Sequence, residues 1–347
     1  MSLTYEEIKA QYTALKQTFD YLLSQRSQIA DFFRAHAGSS VAFVGCGSSY
    51  AISESGAFSM RLRAKRRAIA LAGGDLMLNA DGYVPLLADA VLIAPSRSGA
   101  TSEIVEAIRL AKQRAPVPVL AVVCVPDSPV SAMADLTLTL PWAFDRSVCQ
   151  TRTVANLYAA NLMLAAFIGE DETVIDQLAL VIAQGEAYMN RVEAQIREAG
   201  DFDWTNVVLL ADGEVHGLAA EGAIALTEIA KAQAHAFHVL DVRHGPMVTV
   251  GPDTLVIAHL TSRQPEQQRK LLQDIRSRGA KVIAFGDASA NLSPDDAELV
   301  IQTESELSLP VQGIPFLFIP QIVALGRAER MGINPDEPEG LTAWVKL

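Results

Sequence analysis

The segment Val91-Leu92-Ile93-Ala94-Pro95-Ser96-Arg97-Ser98-Gly99-Ala100-Thr101-Ser102-Glu103 passes from a short apolar run into a hydroxyl-rich turn, then into a helical pattern that runs to about Arg114. A buried strand that ends at the N-terminus of a helix is a place where an anion can be held. The first-turn N–H groups are unpaired there and the helix dipole favours negative charge. Ser96, Ser98, Thr101 and Ser102 add hydroxyl donors without adding net charge. The competing reading is local: Ser and Thr before a helix are common N-caps, and Ser-Gly is a common turn dipeptide.

Working outward, the same strand–turn–helix pattern recurs. Val41-Ala42-Phe43-Val44 is a continuous apolar run ending in Gly45-Cys46-Gly47-Ser48-Ser49-Tyr50, followed by a helix of small residues from Ala51 to about Leu62. Val117–Val123 is a further strand and Leu136–Leu140 an edge strand. Helical patterns cover about Thr151–Phe167 and Glu172–Glu198. The alternation then restarts, with strands at Asn206–Leu210, Thr254–Ala258, Lys281–Phe285 and Leu299–Ile301. Helices are expected at about Leu218–Ala232, Pro265–Arg278 and Pro315–Arg330. Repeated strand–helix alternation implies parallel sheets with helices on both faces, and ligands in such sheets bind beyond the C-terminal ends of the strands. The expected architecture is α/β: two doubly wound, flavodoxin-like, three-layer αβα domains. An amphipathic helix fills 1–36, the first domain 37–195 and the second 196–347, with a linker near Ala199-Gly200-Asp201.

Composition narrows the function class. The chain has 347 residues, half of them hydrophobic and a fifth charged, with a formal net charge of −12. That balance fits a compact enzyme and argues against a nucleic-acid partner, which needs a basic face. The polar, acidic start carries no signal peptide and no apolar run is read as a membrane span, so no membrane partner is expected. Cys46, Cys124 and Cys149 are scattered and odd in number, which points to a reducing cytoplasm, with Cys46 and Cys124 as buried small residues. No trusted metal-ligand spacing, no Gly-x-Gly-x-x-Gly and no Walker loop is present, so no metal and no cofactor is expected.

Three polar turns in the first half each precede a helix: Gly47-Ser48-Ser49, Ser96–Thr101, and Val148-Cys149-Gln150-Thr151-Arg152-Thr153, where the competing reading of Thr151 and Thr153 is as helix caps. Gly47 permits close backbone approach to a ligand. The acid–base groups lie in the second half. Glu221 and Glu228, seven residues apart in an Ala- and Leu-rich helix, share one face. A carboxylate on an apolar helix can serve as a base. His244, followed at once by Gly245-Pro246, is a turn histidine that titrates near neutrality. The competing readings are a solvated helix face for Glu221, an ion pair with Lys231 or Arg243 for Glu228, and a backbone-bonded turn residue for His244.

In this order and spacing these pieces, with Asn334–Pro338, resemble the sugar isomerase (SIS) domain family as a tandem pair, from about residue 35 to the end. The arrangement is similar to the isomerase half of glucosamine-6-phosphate synthase, to amino-sugar-phosphate deaminases and to fructosamine-6-phosphate deglycases. The resemblance implies that Ser48, Ser49, Ser96, Arg97, Ser98 and Thr101 hold a sugar phosphate and nearby hydroxyls. It implies that Val148, Gln150 and Thr151 line the sugar. Glu228 would shuttle a proton between C1 and C2, His244 would assist ring opening, and Glu221 would support the site. Ala225 and Ala343 stand where synthase-like members carry lysines, so the Schiff-base amine is missing at both places. No Cys lies near residue 1, so glutamine is not expected as the ammonia source. The expected protein is a cytoplasmic enzyme, a homodimer or dimer of dimers, that isomerises, deaminates or deglycates an amino- or amine-linked sugar 6-phosphate. The alternative is a non-catalytic phosphosugar sensor; a nucleotide-binding enzyme ranks last.

Overall fold

The computed structural model describes residues 2–347. Three helices open the chain, α1 (Leu3–Lys9), α2 (Gln11–Ser24) and α3 (Arg26–Ala35). The single helix expected over this region is interrupted at Ala10 and Gln25, where ψ is −1°. That value lies at the edge of helical space, so one continuous apolar period in the sequence becomes three shorter helices. The chain continues through β1 (Ser40–Gly45), α4 (Ser48–Leu62), β2 (Ala68–Ala72), α5 (Gly73–Leu78), α6 (Ala80–Leu87) and β3 (Ala90–Ser96). After these come α7 (Ser102–Arg114), β4 (Val119–Val123), α8 (Pro129–Met133), β5 (Leu136–Thr139), α9 (Arg152–Gly169) and α10 (Glu172–Ala199). The second run is β6 (Asn206–Leu210), α11 (His216–Ala230), β7 (Gln233–Phe237), β8 (Thr254–His259), α12 (Pro265–Ser277), β9 (Lys281–Gly286), β10 (Leu299–Gln302) and α13 (Leu309–Met331).

The chain divides into two compact units. The first comprises 10–183 and 342–347, the second 2–9 and 184–341. The expected boundaries at 36/37 and 195/196 therefore differ from the observed ones. Most of the N-terminal segment belongs to the first unit, the division falls inside α10, and the last six residues return to the first unit.

In the first unit all five strands are parallel, in the order β2-β1-β3-β4-β5. This is the flavodoxin-like order. Strand β3 is buried along its whole length, as expected for a strand covered on both faces. Ala42, Val44, Leu92 and Ala94 on one face pack with Ile104, Ala107, Ile108 and Ala111 of α7. Helix α9 is almost wholly buried from Thr153 to Phe167. Each fully buried Leu or Val here contributes about 1.5–3 kcal/mol.

The second unit repeats the design, with parallel strands ordered β10-β9-β8-β6-β7. Ladder partners lie 27 residues apart both between β1 and β2 and between β6 and β7. The turn glycines Gly47 and Gly213, before α4 and α11, both have positive φ, 52° and 58°. The two sheets are thus two copies of one α/β plan. Helix α13 starts at Leu309, earlier than the Pro315 start read from the sequence, because Pro310 takes the first-turn position. By length and a mean hydropathy of 1.6 it could cross a membrane, an exception to the expectation from sequence. However, 89% of that window is buried within the protein, as for a core helix.

Candidate functional site

The first unit brings two of the expected turns side by side. β1 and β3 are paired neighbours running in the same direction, so Gly47-Ser48-Ser49 and Ser96–Thr101 leave adjacent C-terminal strand ends. Ser48, Ser49, Ser96 and Ser98 are all buried. Gly45 is required by a close approach: a Cβ there would lie 2.4 Å from the Ser49 backbone carbon, so α4 sits directly on the strand end. Gly99 has φ +58°, and a Cβ on it would meet Ser128 Oγ at 2.2 Å.

The hydroxyls do not cap the helices. Thr101 before α7 and Thr151 before α9 make no side-chain cap hydrogen bond, and the residue before α4 is Gly47, which has no hydroxyl to offer. Instead Ser96 Oγ accepts from Gly99 N at 3.0 Å and Ser98 Oγ accepts from Ala100 N at 3.1 Å. Both serines hold the loop's own backbone, and each hydroxyl keeps its proton to donate elsewhere.

The third turn is built differently. The buried Asp145 carboxylate accepts from Thr151 N at 2.7 Å and Thr153 N at 2.8 Å, so the N-terminus of α9 already holds an anion from its own chain. Arg152 lies 3.4 Å from that carboxylate. Thr151 is fully buried and Gln150 half-buried; Gln150 Oε1 is buried without a hydrogen-bond partner, as is Glu103 Oε2 on α7. Buried polar atoms of this kind call for water or a ligand.

Arg97 joins several segments of the first unit. It is buried, and its guanidinium donates to the carbonyls of Asp145 (3.4 Å), Ser147 (2.7 Å), Val148 (2.9 Å) and Ala343 (2.6 Å). This side chain, expected to bind phosphate, ties the third turn and the chain's last residues to the β3–α7 loop. Those last residues also reach α7: Ser102 N donates to Val345 O at 3.3 Å and Leu347 N to Ser102 Oγ at 3.0 Å. Cys46, expected to be buried, is only partly so. Burial, reinforced by Glu103, pushes its thiol up, so it stays protonated as a small neutral group.

In the second unit α11 carries both acidic residues. Glu221 is 1% exposed, which removes the solvated-face reading; Glu228, two turns on, is half-buried. The basic groups considered as partners for Glu228 pair elsewhere, Lys231 with Glu339 at 3.4 Å and Arg243 with Asp274 at 2.5 Å. His244 is exposed and closes a 3-10 turn, its N donating to Asp241 O at 2.8 Å. Ala225 is buried on α11. Sequence reasoning missed Asp145, the contacts of residues 343–347, and an Asp212–His238 pair at the ends of β6 and β7. Each is a contact between segments distant in sequence, with no local signal beyond residue type. Among the described residues no group of three His, Cys, Asp or Glu side chains is placed to hold a metal ion.

The SIS domain family model matches residues 35–167 and 202–323. Curated relatives include the isomerizing glutamine–fructose-6-phosphate aminotransferases of Shewanella oneidensis, 26% identical over 275 residues (76% of this chain, 44% of the relative), and of Escherichia coli K12, 26% identical over 272 residues (75% and 44%). The chain thus spans less than half the length of these relatives. Among solved structures, Escherichia coli tagatose-6-phosphate ketose/aldose isomerase superposes with a TM-score of 0.84 at 24% identity, covering 99% of this chain and 96% of that one. Thermotoga maritima glucosamine-6-phosphate deaminase gives 0.83 at 23% identity, covering all of both chains. With a family model matched over both sheets and the same strand order in each, the chain belongs to the SIS domain family and carries two SIS domains in tandem.

Proposed function

We propose that this chain is an enzyme acting on a sugar 6-phosphate that carries an amino or amine-linked group. The phosphate is held at the adjacent β1–α4 and β3–α7 turns by the Ser48, Ser49, Ser96, Ser98 and Thr101 hydroxyls and the backbone around Gly47 and Gly99. One juxtaposition carries this reading: Ser48 and Ser49 at the start of α4 and Ser96 and Ser98 before α7 are buried at adjacent strand ends, and Thr101 makes no cap hydrogen bond to α7. At α9, by contrast, Asp145 fills the equivalent place. A helix start whose nearby side-chain donors are neutral suits a phosphate that must bind and leave. Arg97 is reassigned from phosphate ligand to the tie that shapes the pocket wall at Val148–Thr151.

Glu228 moves the proton next to the anomeric carbon, and His244 assists ring opening as acid and base. Glu221 supports them from the buried side of α11. The names of the relatives span isomerase, aminotransferase and deaminase activity, and the step proposed for this chain is proton transfer between neighbouring sugar carbons. With Ala225 and Ala343 in place of amines, this chain performs that transfer without a lysine, as isomerisation, deamination or deglycation. It works as a homodimer or dimer of dimers in the cytoplasm.

The test is Glu228→Gln against wild type on amino-sugar and fructosamine 6-phosphates. Turnover is lost while calorimetry returns an unchanged sugar-phosphate dissociation constant. Full turnover in the variant overturns the assignment. The missing amines favour a second reading, a phosphosugar sensor. It is told apart by NMR: a sensor binds the ligand without exchanging deuterium into C1 or C2.

A further inference from the structure

Asp212 follows β6 and His238 follows β7, two neighbouring parallel strands of the second unit. Asp212 Oδ1 accepts from His238 Nδ1 at 3.0 Å and from Val239 N at 3.2 Å. The carboxylate can only accept, so His238 Nδ1 carries the proton. The His238 ring lies flat on His216, with centroids 3.9 Å apart and planes 17° apart. His216, the first residue of α11, is itself fixed by Nδ1 on the Ala211 carbonyl at 3.1 Å. Rings this parallel cannot aim their lone pairs at one ion, so the pair is not a shared metal site.

The chain beyond His238 shows what this cluster holds. His238 O accepts from Asp241 N at 3.1 Å and Val242 N at 3.4 Å, and Asp241 O accepts from His244 N at 2.8 Å. The short turn that presents His244 therefore hangs from His238 at one end. At the other end Arg243 is held by Asp274 of α12. Gly245, with φ +121°, allows a sharp change of direction immediately after His244. Val239 and Val242 of the same segment are buried in the hydrophobic core of the second unit, while His238 and His244 are exposed, so the polar contacts at His238 add to an apolar anchor.

We propose that Asp212, His238 and His216 form a polar latch that positions the His244 turn, making Asp212 and His238 positioning residues for the proton transfer assigned to His244. The proposal rests on the functional reading above, but its structural half stands without it. The latch joins the first residue of the helix carrying Glu228 to the turn carrying His244, so both acid–base groups are referred to one fixed point of the second sheet. A carboxylate that accepts from a side chain and the next backbone amide restrains both the start of the turn and its direction. The stacked His216 limits rotation of His238.

The test compares Asp212→Ala, Asp212→Asn and His238→Phe in the full chain. Asn keeps the oxygen that accepts both hydrogen bonds; Phe keeps the stack and loses the bond to Asp212. In Asp212→Ala and His238→Phe the imidazole resonance of His244 shifts and broadens. In the same variants kcat falls by about tenfold to a hundredfold, while the dissociation constant for the sugar phosphate stays unchanged. Asp212→Asn retains most of kcat and the wild-type His244 resonance. An unmoved His244 resonance in both disrupted variants, or an Asn variant as impaired as the Ala one, overturns the latch. Unchanged turnover in His244→Ala overturns the functional reading instead, and leaves the resonance measurement as the test of the latch.

Discussion

Arg97 Nη2 donates to the carbonyl of Ala343 at 2.6 Å, joining residues that are 246 positions apart in the chain. The same guanidinium reaches three carbonyls of the Asp145–Val148 turn. A planar fork of donors suits several carbonyls at once, which a lysine ammonium on its single stem does not. Arg97→Lys therefore loses part of this set and leaves buried carbonyls unpaired. The stability of the first unit falls by about 2–4 kcal/mol, read from urea denaturation. Sugar-phosphate affinity weakens as well, because the turn carrying Val148 and Gln150 is no longer held. An Arg97→Lys protein with wild-type stability and affinity means the tie is dispensable.

Gly99 places the β3–α7 loop where no other residue fits. Its φ of +58° disfavours a side chain, and a Cβ would fall 2.2 Å from Ser128 Oγ. Gly99→Ala costs more than about 1 kcal/mol. It also distorts the amides that Ser96 and Ser98 organise. The expected outcome is a lower melting temperature together with a raised dissociation constant for sugar phosphates in calorimetry. Loss of stability with affinity intact would place the ligand away from this loop.

Asp145 is buried with its carboxylate on the amides of Thr151 and Thr153. Asp145→Ala leaves those amides and the nearby Arg152 without their anion and costs about 2–4 kcal/mol. Asp145→Asn, which keeps an acceptor oxygen, costs less. Thermal melts of the two variants compare these directly. An Ala variant no less stable than the Asn one would show that the carboxylate is not what holds the start of α9.

His259 is buried at the end of β8 between Phe285 and Phe316, with ring centroids 5.5 and 5.4 Å away. Burial holds its pKa down at about 4, against 6.5 for an ordinary histidine, while Gln312 pulls the other way less strongly. Between these values the unfolded chain takes up a proton that the folded unit refuses. Stability is therefore full above about pH 6.5 and falls as the pH drops towards 4, by at most about 3 kcal/mol. Urea midpoints measured from pH 7 to pH 4 should show this decline, and His259→Leu should flatten it. A variant with the same acid sensitivity as wild type assigns the decline to other groups.

Much of the fold is legible in the sequence because buried parallel strands such as Val91–Ala94 are unbroken apolar runs. The strands missed were β2 and β7, each at the edge of its sheet. Gln233-Ala234-His235-Ala236-Phe237 is only partly covered, so selection for apolar side chains is weak and no strand signal survives. Helices α5 and α6 were hidden by Gly73-Gly74 and by Pro85, which read as turn signals. For the candidate site, the positions of the serine turns and of Glu221 and Glu228 follow from strand ends and helical period. The partners of Arg97 and Asp145 do not.

Sequence alone determined the two-fold repetition of strand, turn and helix, and with it the places where ligand-binding turns must lie. Both depend on interactions within a few residues, namely periodic burial and the geometry of helix starts. Only the tertiary structure decided which polar groups in those turns are already engaged. Ser96 and Ser98 brace their own loop, Arg97 is consumed by four carbonyls, Asp145 fills the start of α9, and Asp212 grips the turn leading to His244. A hydrogen-bonding group has a fixed capacity, and the partner that takes it up comes from segments brought close only by folding.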